Sequence, residues 1–206
     1  MGSRQPVRQR SPRKAELILE GARQEFLQRG YAAASMDRIA AAAGVSKPTV
    51  YSHYGDKASL FRALTTWMVE RRVGDVFGGA VGEGSVPLDP AMQLRQLASR
   101  IVDVSNRQPE MLDFLRLVIG ESGRFPDLAQ GFVAEVQQQA LSRLVDVFSG
   151  VTDQPELKAR IFIGSLMHTI LFDDVLHGGE LTSVSKERLV QHLVELLVFP
   201  GQARAD

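Results

Sequence analysis

The chain contains no cysteine, which excludes disulfide bonds, thiolate metal sites and cysteine-based redox sensing. It contains no run of about 20 apolar residues, the length that a membrane-spanning helix needs. Its N-terminus also lacks the apolar centre of a secretory signal peptide. We therefore expect a protein that is soluble, located in the cytoplasm and not inserted in a membrane.

Histidine is scarce, and the familiar catalytic motifs are missing. The chain has four histidines and no Gly-x-Ser-x-Gly, His-Glu-x-x-His or Cys-x-x-Cys. Two weak metal-binding patterns remain: Asp173 and His177, with Asp174 adjacent, and His192 with Glu195. Pairs at this helical spacing are ordinarily salt links. We therefore expect no metal, no other cofactor and no enzyme activity.

Strand-like alternation is missing as well, whereas helix signals recur along the whole length. We predict an all-α fold of nine helices in two domains. Residues 1–55 form a basic arm and a three-helix DNA-binding domain of helix-turn-helix type, and residues 56–206 form a C-terminal helical bundle for ligand binding and dimerisation. The predicted helices cover about 12–29, 36–43, 47–54, 57–73, 90–106, 109–122, 128–149, 154–178 and 186–199.

Two helix starts and one connection are predicted from particular residues. Asp153 with Glu156 forms a capping-box-like start, and Ser183 or Ser185 caps the last helix. The glycine-rich stretch 74–87 lacks the preceding strand and the Gly-Lys-Ser/Thr of a phosphate-binding loop. We therefore expect it to be a flexible connection between helices.

The segment 35–57 has the pattern of two short helices joined by a tight turn. Ser35 and Ser46 are placed to cap the two helices, and Gly44 tolerates the left-handed backbone that ends the first one. Val50 faces inward together with the residue four positions later, so the residues between them face outward or toward the helix start. This pattern predicts a helix-turn-helix, although an ordinary helical hairpin has similar local signals.

Basic charge is concentrated at the N-terminal end. Residues 1–14 contain five Arg or Lys residues, two prolines and no acid, which predicts a disordered basic arm. Residues 1–60 carry ten basic and five acidic residues, whereas the remainder carries fourteen and nineteen. This polarity is typical of a nucleic-acid-binding end joined to a neutral or acidic body.

The N-terminal quarter also resembles a known family. The residues that carry the resemblance are ILEGARQEFLQRGY at 18–31, Ser35, Ile39-Ala40, AGVS at 43–46, Thr49, Tyr51, Tyr54, Lys57 and Leu60-Phe61. In order and spacing they resemble the N-terminal domain of the TetR/AcrR transcriptional regulators. Residues 115–132, LRLVIGESGRFPDLAQGF, resemble the regulatory domain of the drug-efflux-repressor branch of that family. Gly21 departs from the family pattern, which usually has alanine at this packing position.

The predicted DNA contacts fall into two groups. Lys47, Thr49, Tyr51 and Ser52 are expected to reach base edges or groove walls, and Ser35, His53, Tyr54 and Lys57 to contact phosphates. Ser46 and Pro48 complete the start of the second motif helix and are included in the predicted interface. Double-stranded operator DNA is therefore the expected macromolecular partner.

The C-terminal domain is predicted to hold a small hydrophobic or amphipathic effector. The candidate lining residues are Trp67, Met68, Met111, Phe114, Leu117, Val118, Phe132, Gln137, Met167, His168 and Phe172. An alternative is that these side chains are ordinary core, with His168 a hydrogen-bonded core histidine. Glu121, Gln137 and His168 are polar groups that a purely structural core avoids unless they are paired.

The last two helices carry more apolar surface than one small body needs to bury. We predict a homodimer in which these helices pair with a second copy through residues such as Phe162, Leu166, Leu193 and Leu197. A two-fold dimer implies a palindromic operator. The family resemblance implies the same arrangement.

Together these patterns predict a one-component repressor that a small molecule releases from its operator, with the fourth helix coupling the two sites. Two alternatives stay open. A regulator of the same fold controlled by a protein partner would show an exposed apolar patch and no internal cavity. A helical-bundle enzyme would need a catalytic constellation that the sequence lacks.

Overall fold

The computed structural model describes residues 12–78, 89–181 and 184–198, and within these ranges the chain forms helices and no strand. We number nine helices: α1 Pro12–Ala33, α2 Met36–Ala42, α3 Lys47–Tyr54, α4 Lys57–Phe77, α5 Pro90–Val102, α6 Pro109–Glu121, α7 Pro126–Ser149, α8 Pro155–Val175 and α9 Lys186–Val198. Helix α7 includes the π-helical turn Gln137–Leu141, and α8 ends in the π-helical turn Ile170–Val175. One-turn helices lie at Val104–Arg107 and Gly179–Leu181. The all-α prediction is confirmed.

The first three helices form a small domain that α4 closes. Gly44, with φ of 63°, makes the turn between α2 and α3. Helix α1 lies so close to α2 that a Cβ on Gly21 would stand 2.8 Å from the backbone nitrogen of Ala43. Phe26 in α1 and Phe61 in α4 meet edge to face with ring centroids 5.2 Å apart. The packing of this domain therefore depends on close backbone approach and on edge-to-face contact between rings.

Helices α4 to α9 form the larger helical body. Helix α4 packs against α1 on one side and against α5 and α7 on the other, while α9 packs against α5 and α8. The rings of Phe148 and Phe162 meet 5.7 Å apart where α7 packs on α8. None of the helices in the described ranges combines the length and apolarity needed to cross a lipid bilayer.

Several predicted helix ends need correction. Helix α4 does not stop at Val73 but continues through Gly74 to Phe77, because Val76 is buried against the core. The helix predicted to reach residue 106 is interrupted at Asp103. The predicted capping box at Asp153 and Glu156 does not form: Gln154 is the N-cap of α8, and it makes no side-chain cap bond.

The last helix is capped by Ser185, whose Oγ accepts from the backbone nitrogen of Arg188 at 3.2 Å. Ser183, residues 1–11 of the predicted arm, residues 79–88 of the glycine-rich stretch and the tail from residue 199 lie outside the described residues. Residues 12–14 belong to the first turn of α1. The division of the chain at residues 55 and 56 stays a prediction.

Candidate nucleic-acid interface and effector cavity

Helices α2 and α3 of the first domain each begin at a serine cap. Ser35 Oγ accepts from the backbone nitrogen of Arg38, and Ser46 Oγ accepts from that of Thr49, each at 3.3 Å. Ser52 Oγ donates to the carbonyl of Thr49 at 2.8 Å. Each cap satisfies a backbone donor that a helix start leaves free. The predicted helix-turn-helix is therefore present with its expected caps.

The residues predicted to read DNA lie mostly on one exposed face of α3. Ser46, Lys47, Pro48, Tyr51 and Ser52 are exposed, and Thr49 and His53 are half-buried. The inward side of α3 is anchored by Val50, which is fully buried. Helix α3 thus presents hydroxyl, aromatic and cationic groups at its exposed face, the types that contact phosphates and base edges.

Lys47 is held by an acidic neighbour on α2. Its Nζ lies 2.8 Å from Asp37 Oδ1 and 5.9 Å from the ring centre of Tyr51. The hydrogen bond with Asp37 raises the pKa of Lys47. Both side chains are exposed, so the pair exchanges readily with water and with other partners. Asp37 therefore competes with any phosphate for this cation.

Lys57 has an internal role that the sequence did not indicate. Its Nζ donates to the carbonyls of Tyr31, Ala32 and Ala34 at 2.9, 3.1 and 3.1 Å. It also lies 4.7 Å from the ring centre of Tyr31. These bonds use all three ammonium donors on the chain leaving α1. The predicted phosphate contact of Lys57 stays a prediction, and it requires some of these bonds to be exchanged.

Tyr54 likewise ties the motif to α1. It is half-buried, and its hydroxyl donates to the carbonyl of Ala15 at 3.3 Å. Its ring lies 6.0 Å from that of His53. The geometry gives Tyr54 a part in positioning α3, and its phosphate contact stays a prediction.

Sequence reasoning missed the buried carboxylate of Glu25. Its Oε1 accepts from Arg38 Nε at 2.5 Å and from the backbone nitrogen of Ser35 at 3.3 Å, and Arg29 Nε lies 3.4 Å from Oε2. Glu25 therefore fixes the start of α2 against α1. Its position within the buried stripe of α1, one residue before Phe26, is the signal that could have revealed it.

Glu121 connects the first domain to the bundle and does not line the cavity. Its Oε1 accepts from the backbone nitrogen of Tyr31 at 2.9 Å, just after Gly30 interrupts α1 with φ of 73°. The ring of Tyr31 also meets that of Phe125 with centroids 4.8 Å apart. The C-terminal end of α6 thus holds the segment that leads from α1 into the helix-turn-helix.

Aromatic rings continue this contact into the bundle. Tyr31 lies 5.3 Å from Phe61, Phe61 lies 5.7 Å from Phe114, and Phe114 lies 6.2 Å from Phe132, measured between ring centroids. The four rings come from the end of α1, from α4, from α6 and from α7. Phe132 also forms part of a cavity wall. A continuous row of packed rings therefore joins that cavity to the end of α1, from which the chain enters the helix-turn-helix.

The cavity has a volume of about 200 Å³ and lies between α4, α5, α6, α7 and α8. Three of the predicted lining residues, Met111, Phe132 and Met167, belong to its wall. Most of the remaining wall consists of aliphatic side chains such as Val69, Val73, Leu115, Val136 and Ile163, with Arg72 as its charged member. Aliphatic residues at helical spacing have the pattern of ordinary core, so sequence alone did not indicate them.

The other predicted lining residues lie elsewhere. Met68, Phe114 and Val118 are buried in the core, and Trp67 and Leu117 are half-buried, with Arg71 stacked on Trp67 at 4.6 Å. Gln137, His168 and Phe172 are exposed. His168 is therefore neither a core histidine nor a cavity anchor: its ring stacks on that of Phe172 with centroids 4.6 Å apart.

The predicted dimer residues were also assigned to the wrong side of their helices. Phe162, Leu166, Leu193 and Leu197 are at most 6% exposed because they pack into the core of their own chain. The apolar residues that face outward belong to a different stripe. We call this stripe the outer face. It consists of Leu157, Ile161, Phe172 and Leu176 on or just after α8 and Leu196 on α9.

The two weak metal patterns do not develop into a site. Among the described residues no group of three or more His, Cys, Asp or Glu side chains is placed to hold a metal ion. Asp174 Oδ1 instead lies 2.8 Å from Lys186 Nζ, and His192 Nδ1 lies 3.9 Å from Glu195 Oε2.

Two family models match the chain. The model described as "Bacterial regulatory proteins, tetR family" matches residues 18–64, and the model described as "AefR-like transcriptional repressor, C-terminal domain" matches residues 92–198. The first match covers the helix-turn-helix and the start of α4. The second covers most of α5 to α9 and is longer than half of the chain.

Similar individual proteins are transcription regulators. The chain is 34% identical over 102 residues to the HTH-type transcriptional activator FasR of Mycolicibacterium smegmatis, covering 50% of this chain and 43% of FasR. It is 32% identical over 133 residues to the HTH-type transcriptional repressor SCO4008 of Streptomyces coelicolor, covering 65% and 62%. Each match thus spans less than two thirds of the relative's own length. The solved structure of the flavonoid-responsive regulator FrrA has a TM-score of 0.72 at 27% identity and covers 95% of this chain and 100% of FrrA.

Proposed function

We propose, on the premise that the chain belongs to the bacterial TetR family of regulatory proteins, that it is a cytoplasmic repressor which a small hydrophobic effector releases from a palindromic operator. Regulators of this family and fold are generally not enzymes. The observation that carries the proposal is the cavity of about 200 Å³, joined by packed rings to the end of α1, from which the chain enters the helix-turn-helix.

The exposed face of α3 is the proposed DNA-reading surface. Lys47, Thr49, Tyr51 and Ser52 reach base edges or groove walls in this proposal, while Ser35 and His53 contact phosphates. Tyr54 and Lys57 stand behind them and hold α3 and α4 on α1. The basic residues at 1–14, which precede and begin α1, add sequence-independent affinity for DNA in this proposal.

A second copy of the chain is the proposed occupant of the outer face. Leu157 is 54% exposed, Ile161 44%, Phe172 48% and Leu196 49%, an apolar concentration that a soluble monomer rarely leaves in water. Helices α8 and α9 of two copies would form a four-helix contact with two-fold symmetry. In this proposal the two-fold axis relates the two α3 helices to each other, which accounts for a palindromic operator.

Helix α4 is the proposed coupling element because it takes part in both sites. Its first residue, Lys57, binds the carbonyls at the end of α1, and its last turns carry the cavity residues Val73 and Phe77. A ligand that shifts the cavity end of α4 therefore alters the placement of α3 in each subunit. Operator and effector then oppose each other by the same factor, as linkage requires.

Control by a protein partner is the second candidate. A protein partner could bind the exposed outer face, but the proposed dimer also accounts for that face. In addition, a regulator controlled only through its surface needs no cavity. The responsiveness of FrrA to flavonoids is further support for a small molecule. FasR is an activator and SCO4008 a repressor, so the sign of regulation rests on the proposal.

The test is selection of double-stranded DNA from a random library with the full-length protein. We expect an inverted repeat and a strong dependence of affinity on salt. Ser52→Ala should reduce discrimination between sites by roughly 1–3 kcal/mol. Ser149→Ala is the matched control, because Ser149 also donates to a carbonyl of its own helix at 2.8 Å but lies on α7. Failure to enrich any sequence would refute the proposal.

A further inference from the structure

Arg72 is the charged residue in the cavity wall. Of its two terminal nitrogens, one is hydrogen-bonded and the other is not. Nη2 donates to the carbonyls of Arg100 and Ile101, each at 2.8 Å. Nη1 is buried and has no hydrogen-bond partner, and it is the single buried side-chain atom of this kind among the described residues. The neighbouring wall residues Val69, Val73 and Val76 provide no acceptor from their side chains.

The charge of Arg72 is also poorly balanced. Among the described residues Arg72 forms no ion pair with a carboxylate, and the two acids whose charges act on it have other partners. Asp75 accepts a hydrogen bond from Gln108, and Asp103 pairs with Arg107 at 2.8 Å. Burial lowers the pKa of Arg72, with the charge of Asp75 acting in the opposite direction. The cavity wall is almost entirely apolar and Nη1 is buried, so the guanidinium must turn toward the cavity before a ligand there can bind it. A buried cation without a partner gains strongly when it acquires one.

We propose that the effector is a compact amphipathic acid whose apolar body fills the cavity and whose carboxylate binds Nη1 of Arg72. This inference rests on the proposed function and names the ligand class of the same site. A carboxylate is favoured over a neutral acceptor because charge-assisted bonds to guanidinium are shorter and about twice as strong. A cationic headgroup is disfavoured because it would repel Arg72.

The size and lining of the cavity indicate the shape of the apolar part of the effector. Its volume of about 200 Å³ exceeds the cavity of about 150 Å³ that holds benzene in an engineered protein. Met111, Met167, Phe77 and Phe132 offer polarizable and aromatic contacts. A fused bicyclic ring bearing one carboxylate matches this combination better than a long unbranched chain.

The experiment compares two probes of the same shape, 1-naphthoate and 1-naphthalenemethanol, by isothermal titration calorimetry on the full-length protein. We expect the acid to bind the unaltered protein about tenfold or more tightly than the alcohol. Arg72→Met, which keeps an apolar stem of similar length, should lose this preference. Arg72→Lys should retain part of it because the positive charge remains.

Arg100→Met is the matched control. Arg100 Nη1 donates to the carbonyl of Val76 at 3.1 Å, so this residue also joins α4 to α5 but is not part of the cavity wall. It should keep the preference of the unaltered protein for the acid. Retained binding of the alcohol by Arg72→Met shows that the variant is folded with its cavity intact.

The outcomes separate the two levels of inference. Equal binding of acid and alcohol, or a preference that survives Arg72→Met, overturns the acid anchor but leaves a small-molecule cavity in place. Binding of neither probe overturns the anchor and also counts against the proposed effector site. A preference lost equally in Arg72→Met and Arg100→Met shows a structural effect of the α4–α5 junction and likewise overturns the anchor.

Discussion

The helix-turn-helix domain and the cavity side of the bundle are built in opposite ways. In the first, Gly21 leaves no room for a methyl group and the buried carboxylate of Glu25 is paired with Arg38. In the second, aliphatic walls surround about 200 Å³ and Arg72 Nη1 lacks a protein partner. The first arrangement maintains one fixed shape, whereas the second is suited to accept another molecule. The difference predicts which substitutions each region tolerates.

The largest difference is expected for removal of one ring from each region. Phe61→Ala removes a side chain that is 1% exposed and touches Phe26, Tyr31 and Phe114, and it should lower the free energy of unfolding by about 3–5 kcal/mol. Phe132→Ala, at the half-buried cavity wall, should cost less than about 2 kcal/mol because little packing is lost there. Chemical denaturation measures both. Equal costs would mean that the cavity is as densely packed as the first domain.

The outer face of the bundle is expected to matter for assembly and not for folding. Ile161→Glu should weaken the dimer by about 100-fold or more, roughly 3 kcal/mol, with the subunit still helical. Ile119→Glu is the control, since Ile119 on α6 is 46% exposed compared with 44% for Ile161. Multi-angle light scattering reports the assembly state. A dimer that survives Ile161→Glu would place the interface elsewhere.

Two glycine-to-alanine substitutions, one in each region, are expected to have smaller effects on stability and to differ in sign. Gly21→Ala should destabilise by about 1–3 kcal/mol, because its Cβ would stand 2.8 Å from Ala43 N and 3.0 Å from Ile39 O. Gly120→Ala on α6 meets no atom within 4 Å and should stabilise by about 0.5–1 kcal/mol. Thermal unfolding distinguishes them. A stabilising Gly21→Ala would show that α1 and α2 are less tightly packed than the structure indicates.

Two lysines near the DNA-reading surface are expected to behave differently. Lys57→Met should lower stability by about 1–2 kcal/mol because three carbonyls lose a charged donor. Lys47→Met should leave stability unchanged but weaken operator binding and reduce its salt dependence, because one cation at the DNA surface is lost. Denaturation and a salt titration of operator affinity supply the readouts. The reverse pattern would exchange the structural and DNA-binding roles of the two residues.

The smallest effect is expected for the acid beside Lys47. Asp37→Asn removes a charge that holds Lys47 Nζ at 2.8 Å and repels phosphates, so operator affinity should rise by about two- to fivefold at low salt. Fluorescence anisotropy at two salt concentrations measures the gain, which should shrink at the higher one. Weaker binding of Asp37→Asn would indicate that Asp37 positions Lys47 for DNA.

Local signals in the sequence predicted the first domain well and the bundle less completely. The caps at Ser35 and Ser46 were predicted because each depends on residues within one helical turn, and both form. The π-helical turns in α7 and α8 were missed because nothing in their local pattern distinguishes them from α-helix. In the bundle, the main error was in predicting which side of a helix faces the core. Helix α8 is apolar on two sides, so Phe162 was assigned to the interface and His168 to the interior.

The cavity depends on contacts between distant parts of the chain. Its wall combines α4 with α7 and α8, and the residues that matter there, such as Val73 and Ile163, have the same pattern as any buried stripe. Arg72 was not identified because arginine on a helix is ordinarily exposed. Only the packed structure shows that one of its nitrogens is buried without a partner.

Coupling between the cavity and the DNA-reading surface is tested most directly by operator affinity with and without a cavity ligand. The selected inverted repeat is titrated with full-length protein in the absence of 1-naphthoate and at its saturating concentration. We predict that the ligand weakens operator binding by roughly 5- to 150-fold and that operator weakens ligand binding by the same factor. Operator affinity that stays unchanged while the ligand fully occupies the protein would contradict this prediction.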